Sequence, residues 1–387
     1  MFLNPFNPNY PADIRYFANR KRELAWFEEG VIPSLHPSSS GPWNIAILGP
    51  WGIGKTSLAN RFMHSCRQAP FDIFPVFISC SRGYDSLYGF FSMLVSFVAD
   101  ELSKHKGWSE KAMEQLRDWQ LSIHALGLTV TKRQRPDMAT AGAADILRRQ
   151  LRDLWERFLA DRECGILLIL DDAHLLLSLD KQAFLILRAV IQDLHLLGAR
   201  YGLVITGPSE LFEDIRLESE PVVRFFNKMN LKPFDREDLA DAIRYPVERV
   251  QAGITIPDET LDWIQNKTNG HPYFVTFIMR VMLMKAHSER RVNLDVSYCE
   301  GKWPGILRLI YAERFDVDWS SVPPGERTIL RQIAAAAPGA CPAKDVQNSG
   351  LLSRLVQKNL VIRKGRGMYT LYHPLFGEYI QQVDFED

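Results

Sequence analysis

Residues 49–57 read Gly-Pro-Trp-Gly-Ile-Gly-Lys-Thr-Ser and satisfy the pattern GxxxxGK[ST]. An apolar run of buried-strand length, 43–48, leads into them, and an amphipathic segment, 55–67, leads out. A strand that turns through glycines into a helix points successive backbone N–H groups, and the helix N-terminus, at one spot. That makes an anion nest. Gly49, Gly52 and Gly54 let the backbone approach phosphates, with Pro50, Trp51 and Ile53 completing the loop. Lys55 supplies a point charge for the β- and γ-phosphates, Thr56 a hydroxyl for Mg²⁺, and Ser57 a second hydroxyl near the α-phosphate. A chance glycine turn is a poor alternative in this context. The chain therefore opens on a phosphate-binding α/β unit.

The segments that follow extend this unit. Strand candidates lie at 74–80, 165–171 and 201–207, with a short one at 228–232. Helical stretches occupy 86–104, 143–161 and 181–197, while 105–142 is less regular. Such alternation predicts an α/β fold with a parallel sheet covered on both faces. The pattern stops near Pro233; 236–245, 258–267 and 272–285 read as helices only. Farther on, short helices at 325–336, 343–346 and 351–357 precede a hairpin signal over 360–372, with Gly365 and Gly367 at its turn. Three helices and a hairpin resemble a winged helix. The expected division is a P-loop core over 1–233, a helical lid over 234–300 and a winged helix over 301–387.

A second chemical signal stands where the run Ile166-Leu-Leu-Ile-Leu170 ends in Asp171 and Asp172. An acid closing a strand beside a phosphate loop supplies the carboxylate on the Mg²⁺ side. Asp171 is assigned to Mg²⁺, mostly through water, and Asp172 to polarising an attacking water. The competing reading is a helix N-cap pair. Aspartate at the second position is one methylene shorter than glutamate, which suits slow hydrolysis and hence a switch better than a motor.

Composition closes off other classes. Lys plus Arg and Asp plus Glu are 46 each, so bulk charge gives no reason to expect nucleic acid or membrane. The five cysteines, Cys66, Cys80, Cys164, Cys299 and Cys341, form no CxxC pair. They read as buried apolar residues of an intracellular, cytoplasmic chain. The apolar runs are far shorter than the ~18 residues of a membrane span, and the N-terminus lacks signal-peptide character.

Taken together, GPWGIGKTS, ILLILDDAH and the later TNGHPYF resemble P-loop ATPases of the AAA+/STAND group. The closest likeness is to the archaeal-type branch with a C-terminal winged helix. The resemblance spans nearly the whole chain and implies ATP and Mg²⁺ as ligands. It also implies an N-terminal box near the adenine, where Arg20 and Glu23 match and Asn19 replaces a glycine. It makes Thr206 the sensor of the γ-phosphate. It makes Gly270, His271 and Pro272, after Asn269, the Gly-x-Pro element that closes the lid on the nucleotide. Arg224, with Arg216 as second choice, takes the place of the arginine that reaches a neighbour's γ-phosphate. Arg244 is a candidate for a second sensor arginine. For Thr206 the alternative is a strand-end turn residue, for His271 a helix cap, for Arg224 a surface ion pair.

The function expected from the sequence is an ATP-binding, slowly hydrolysing switch. Its nucleotide state would control self-assembly into a homo-oligomer and engagement of a separate sensor or effector protein. The alternative is a DNA-associated AAA+ ATPase, similar to origin loaders or transposon target-selection regulators. In that case Lys358, Arg363, Lys364 and Arg366 would meet duplex DNA, with the basic loop 132–135 as a further contact. Nearby acids oppose it: Glu326, Asp345 and Glu378 keep the region near neutral. A third reading is a nucleotide-locked scaffold without turnover.

Overall fold

The structure, a computed structural model, describes residues 3–105, 107–131, 139–218, 220–346 and 348–383. The basic loop 132–135 lies outside the described residues. The chain divides into two compact units: a sheet unit of Asp13–Gly49 and Gly54–Lys232, and a helical unit of Met1–Ala12, Pro50–Ile53 and Pro233–Asp387.

The sheet unit is built on five parallel strands: β1 (Ile45–Leu48), β2 (Asp72–Ser79), β3 (Cys164–Asp171), β4 (Tyr201–Gly207) and β5 (Asn227–Asn230). They run in the order β2-β3-β4-β1-β5. The inner strands β1, β3 and β4 are buried along their whole length, as their unbroken apolar runs require when helices cover both faces. The outer strands differ. β2 carries Pro75, and β5 reads Asn-Lys-Met-Asn and is largely exposed, two ways of blunting an edge. Helices Lys55–Cys66, Leu87–Ser103, Ala139–Phe158 and Ala183–Leu196 pack their apolar faces on the sheet.

The order of strands decides what can meet. β4 lies between β1 and β3, with Ile47 level with Thr206, Leu48 with Gly207, and Leu170 with Ile205. The C-terminal ends of the three strands thus bring Gly49, Thr206 and Asp171 to one edge of the sheet. Residues 105–142, expected to be irregular, include the helix Glu110–Thr131. Leu116 and Trp119 of this helix are buried against the core.

The helical unit contains Arg236–Arg249, Asp258–Thr268 and Pro272–Ser288, then a helical run through 296–320, and Pro324–Ala335. The first of these runs through Pro246 to Arg249, beyond the expected end at Tyr245. Beyond it, β6 (Cys341–Pro342), β7 (Val361–Gly365) and β8 (Met368–Leu371) form an antiparallel sheet in the order β6-β8-β7. Helices Ser349–Gln357 and Pro374–Val383 flank the hairpin β7–β8. One apolar cluster runs from Phe6 through Phe274, Phe277 and Phe315 to Phe376 and Ile380. Among the described residues no helix is long and apolar enough to cross a membrane.

Candidate functional site

β1 ends at Leu48, and the chain passes through the glycine loop into the helix that starts at Lys55. Gly54 sits at φ +96°, and a Cβ built there would meet nothing within 4 Å. The open space lies over the N-terminus of the helix, where an anion would bind. Lys55 Nζ donates to the Gly49 carbonyl at 2.9 Å. Burial pushes the Lys55 pKa down, while Asp172, Asp171 and Glu210 pull it back up. A half-buried ammonium with carboxylates nearby is poised to take phosphate oxygens as further partners.

Asp171 closes β3 and is almost fully buried. Two hydroxyls meet on its carboxylate. Thr56 Oγ1 stands 3.1 and 3.0 Å from its two oxygens. Thr206 Oγ1 donates to Oδ1 at 2.7 Å and accepts the Asp172 N–H at 2.9 Å. Burial raises the pKa of Asp171, the neighbouring Asp172 adds to that, and the two threonine hydroxyls oppose it. Asp172 itself takes a left-handed conformation, φ 53° and ψ 40°, which turns the chain out of β3 into the short helical turn at Ala173–Leu175. The side chain of Asp172 caps nothing there, so the N-cap alternative fails at the level of geometry.

This donor set fits Mg²⁺ on a nucleotide. One hydroxyl and one carboxylate sit 3.0 Å apart beside a phosphate nest, the sparse protein ligation Mg²⁺ favours when substrate phosphates complete the shell. Among the described residues no cluster of three or more His, Cys, Asp or Glu could hold a metal ion by itself.

The remaining sequence candidates scatter. Arg20 is buried in the sheet unit, donating to the Lys232 carbonyl at 2.9 Å, with Glu23 3.5 Å away. Asn19, in the place of the family's glycine, has φ 68°, and asparagine tolerates that region best among non-glycine residues. Arg224 lies in the helix Glu220–Phe225, just before β5, with 81% of its side chain exposed and Glu220 3.9 Å away. Arg216 meets the same Glu220 at 3.3 Å.

In the helical unit, His271 Nε2 lies 3.1 Å from the Trp51 carbonyl. Pro272 opens the helix Pro272–Ser288 at its first turn. Gly270, at φ +68°, has no room for a Cβ, which would fall 2.0 Å from the Phe234 carbonyl oxygen. The Trp51 ring lies under the Arg314 guanidinium at 3.7 Å and against Tyr273 at 4.6 Å. Arg244 is held by Asp258 and the Ile256 carbonyl. Of the four basic residues near the C-terminus, Lys358 is bound to buried Glu326 at 2.6 Å, and Arg363 reaches the Tyr369 hydroxyl at 3.2 Å. Lys364 and Arg366 are exposed around the hairpin turn. The tie of Trp51 to His271 and Arg314 went unread in the sequence, because nothing in the pattern joins residues so far apart.

A parallel five-stranded sheet, a GxxxxGK[ST] loop after β1 and an acidic strand β3 one place removed define a P-loop NTPase fold of the AAA+ type. Residues 34–203 match the AAA ATPase domain family. The solved fold of the Aeropyrum pernix ORC2 protein, determined in ADPNP and ADP complexes, is similar at 16% identity, covers 99% of this chain and 98% of its own, and has a TM-score of 0.60. A Walker-type ATPase of Pyrococcus abyssi is similar at 17% identity, 94% and 96% coverage and a TM-score of 0.57. Cdc6p of Pyrobaculum aerophilum is similar at 15% identity, 98% and 97% coverage and a TM-score of 0.51. No curated protein matches the chain in sequence.

Proposed function

We propose that this chain is an ATP-binding, slowly hydrolysing molecular switch whose nucleotide state controls self-assembly and engagement of a separate partner protein. The observation that carries it is the convergence of Thr56 and Thr206 on the buried carboxylate of Asp171, beside the half-buried Lys55. Gly49–Ser57 cradle the phosphates, Thr56 holds Mg²⁺ directly and Asp171 holds it through water. Mg²⁺, when bound, would supply positive charge that offsets the terminal phosphates. Asp172 polarises the attacking water, and its short side chain keeps turnover low. Thr206, with its hydroxyl engaged by the acidic pair, positions that pair and senses the terminal phosphate through it. Arg20 and Glu23 belong to the adenine side, His271 and Pro272 to the lid, and Arg224 to a neighbour's nucleotide.

Our domain division is a core over 1–233, a lid over 234–300 and a winged helix over 301–387, in the manner of the STAND and archaeal-type ATPases. Contacts inside the helical unit support a switch. The Trp51 carbonyl is held by His271, and its ring by Arg314. Arg314 pairs with Asp318, which accepts from the Tyr372 hydroxyl at 2.7 Å. A change in the loop backbone is therefore felt at the start of the C-terminal region.

Exposed Lys364 and Arg366 favour the DNA-associated ATPase as a second reading. Hydrolysis measured with and without duplex DNA at low salt separates the two. A low rate indifferent to DNA is the expected result. Stimulation by DNA, lost when Lys364 and Arg366 become glutamate, would replace the switch with the second reading. Tight ATP binding by Lys55→Ala would sink both.

A further inference from the structure

A pocket of about 440 Å³ opens at the other edge of the sheet from the phosphate loop. Its walls come from residues 40–44, which lead into β1, from the helix Ala183–Leu196, which precedes β4, and from the helix Glu220–Phe225, which precedes β5. The volume falls within the range of small-molecule sites. All of the lining belongs to the sheet unit.

The chemistry of the lining is one-sided. Arg188, Arg224, Asn44, Gln192 and His195 line it, and no aspartate or glutamate does. Arg188 has no carboxylate within salt-bridge distance among the described residues, and Arg224 has only Glu220 at 3.9 Å, which is not part of the lining. Asn44 is 6% exposed, and its Oδ1 accepts the Leu203 N–H at 2.9 Å. Its Nδ2 is therefore left as a donor, with no protein partner among the described residues. His195 is fixed in the same sense. Arg200 Nη1 stands 3.0 Å from its Nδ1, and a guanidinium can only donate, so Nδ1 accepts and the ring proton sits on Nε2. Burial and the Arg200 charge both lower the His195 pKa, which favours the neutral ring. Trp43 completes the wall, 44% exposed, with its other contacts at Gly30 and Trp26.

Two guanidiniums and several neutral donors around a concavity with no acid in its lining leave a positive field that only Glu220, outside the lining, offsets in part. Arginine forks match phosphate oxygens, and an aromatic face at the rim suits an attached ring. We propose that this pocket is a binding site for a phosphate-bearing anion, separate from the phosphate loop, with Arg188 and Arg224 as its cations, Asn44 and His195 as its neutral donors and Trp43 as the platform for a ring. Free nucleotide and the nucleotide of a second copy share this chemistry. The assignment stands on the pocket alone and does not depend on the reading of the loop.

The test uses the full chain carrying Lys55→Ala, which removes the loop as a competitor. In one arm, pyrophosphate and ADP are titrated calorimetrically into dilute protein, with tryptophan fluorescence followed in parallel. Saturable binding is expected, tighter for ADP than for pyrophosphate, and weakened roughly ten-fold or more by Arg188→Ala. In the other arm, the same protein is mixed with wild-type chain and a non-hydrolysable ATP analogue, and mass is measured. Association lost with Arg188→Ala assigns the phosphate to a second copy. Gln192→Glu places an acid in the lining and should reproduce the Arg188→Ala result, which guards against a folding defect in either variant alone. If both variants behave like their parent in both arms, the pocket is not a phosphate site.

Discussion

Thr206 shows how much one hydroxyl can hold. It takes the Asp172 N–H and gives its proton to Asp171, so it sets the acidic pair from the neighbouring strand. Thr206→Val keeps the shape and removes both bonds. It leaves a partly buried N–H and a buried carboxylate each short of a partner, a loss of about 1–3 kcal/mol in stability. Hydrolysis should fall far more than ATP binding, since Lys55 and the loop amides are untouched. Equal losses in both would deny Thr206 a positioning role. Gly270 is fixed by space and backbone together. With φ +68° and a Cβ site 2.0 Å from the Phe234 oxygen, Gly270→Ala must shift the backbone. An outcome of about 2–4 kcal/mol of destabilisation follows, checked by the urea midpoint. A change under half that would mean the turn yields freely.

At the scale of elements, the turn between the helices Asp258–Thr268 and Pro272–Ser288 is tied to the start of the last helix by His373. Its Nε2 donates to the Thr268 carbonyl at 2.9 Å, its Nδ1 accepts the Leu375 N–H at 3.2 Å, and its ring lies 4.0 Å from Phe274. Burial lowers its pKa from 6.5 to about 4. The folded state resists the proton that the unfolded chain accepts. Stability from this group is therefore complete above pH 6.5 and is lost as pH falls toward 4. The loss amounts to roughly 3 kcal/mol. Denaturation midpoints across this window should fall in the wild type and less steeply in His373→Asn. Parallel slopes would remove His373 as the cause. These elements also mark what a sequence discloses. β1, β3 and β4 were legible because unbroken apolar runs end at glycine or aspartate, and the hairpin because Gly365 and Gly367 punctuate it. Phosphate loop and acids are contiguous strings, so they too could be read. The run 296–320 hides behind Gly301, Pro304 and Gly305. The anion pocket is assembled from three segments remote in sequence, and no local pattern announces it.

For the molecule as a whole, the decisive geometry is the direction of the sheet. All five strands are parallel, so the phosphate loop and Asp171 occupy the C-terminal edge, while Arg224, just before β5, lies toward the N-terminal edge. A strand of the seven residues of β4 separates those edges, about 20 Å at the rise of a β-strand. Arg224 therefore cannot serve the loop of its own chain, and a role in hydrolysis demands a second copy. With acidic and basic residues balanced at 46 each, bulk attraction or repulsion does not decide that encounter, and local contacts must. Arg224→Ala and Lys55→Ala should each suppress hydrolysis, the first without loss of ATP binding. Mixed in equal amounts, they rebuild interfaces in which an intact Lys55 faces an intact Arg224, about a quarter of all sites if copies pair at random in a head-to-tail assembly. Partial recovery, rising with total protein concentration, is the expected outcome. Full activity of Arg224→Ala alone would remove this arginine from the reaction. A mixture as inactive as its parts would leave it to the anion pocket of its own chain.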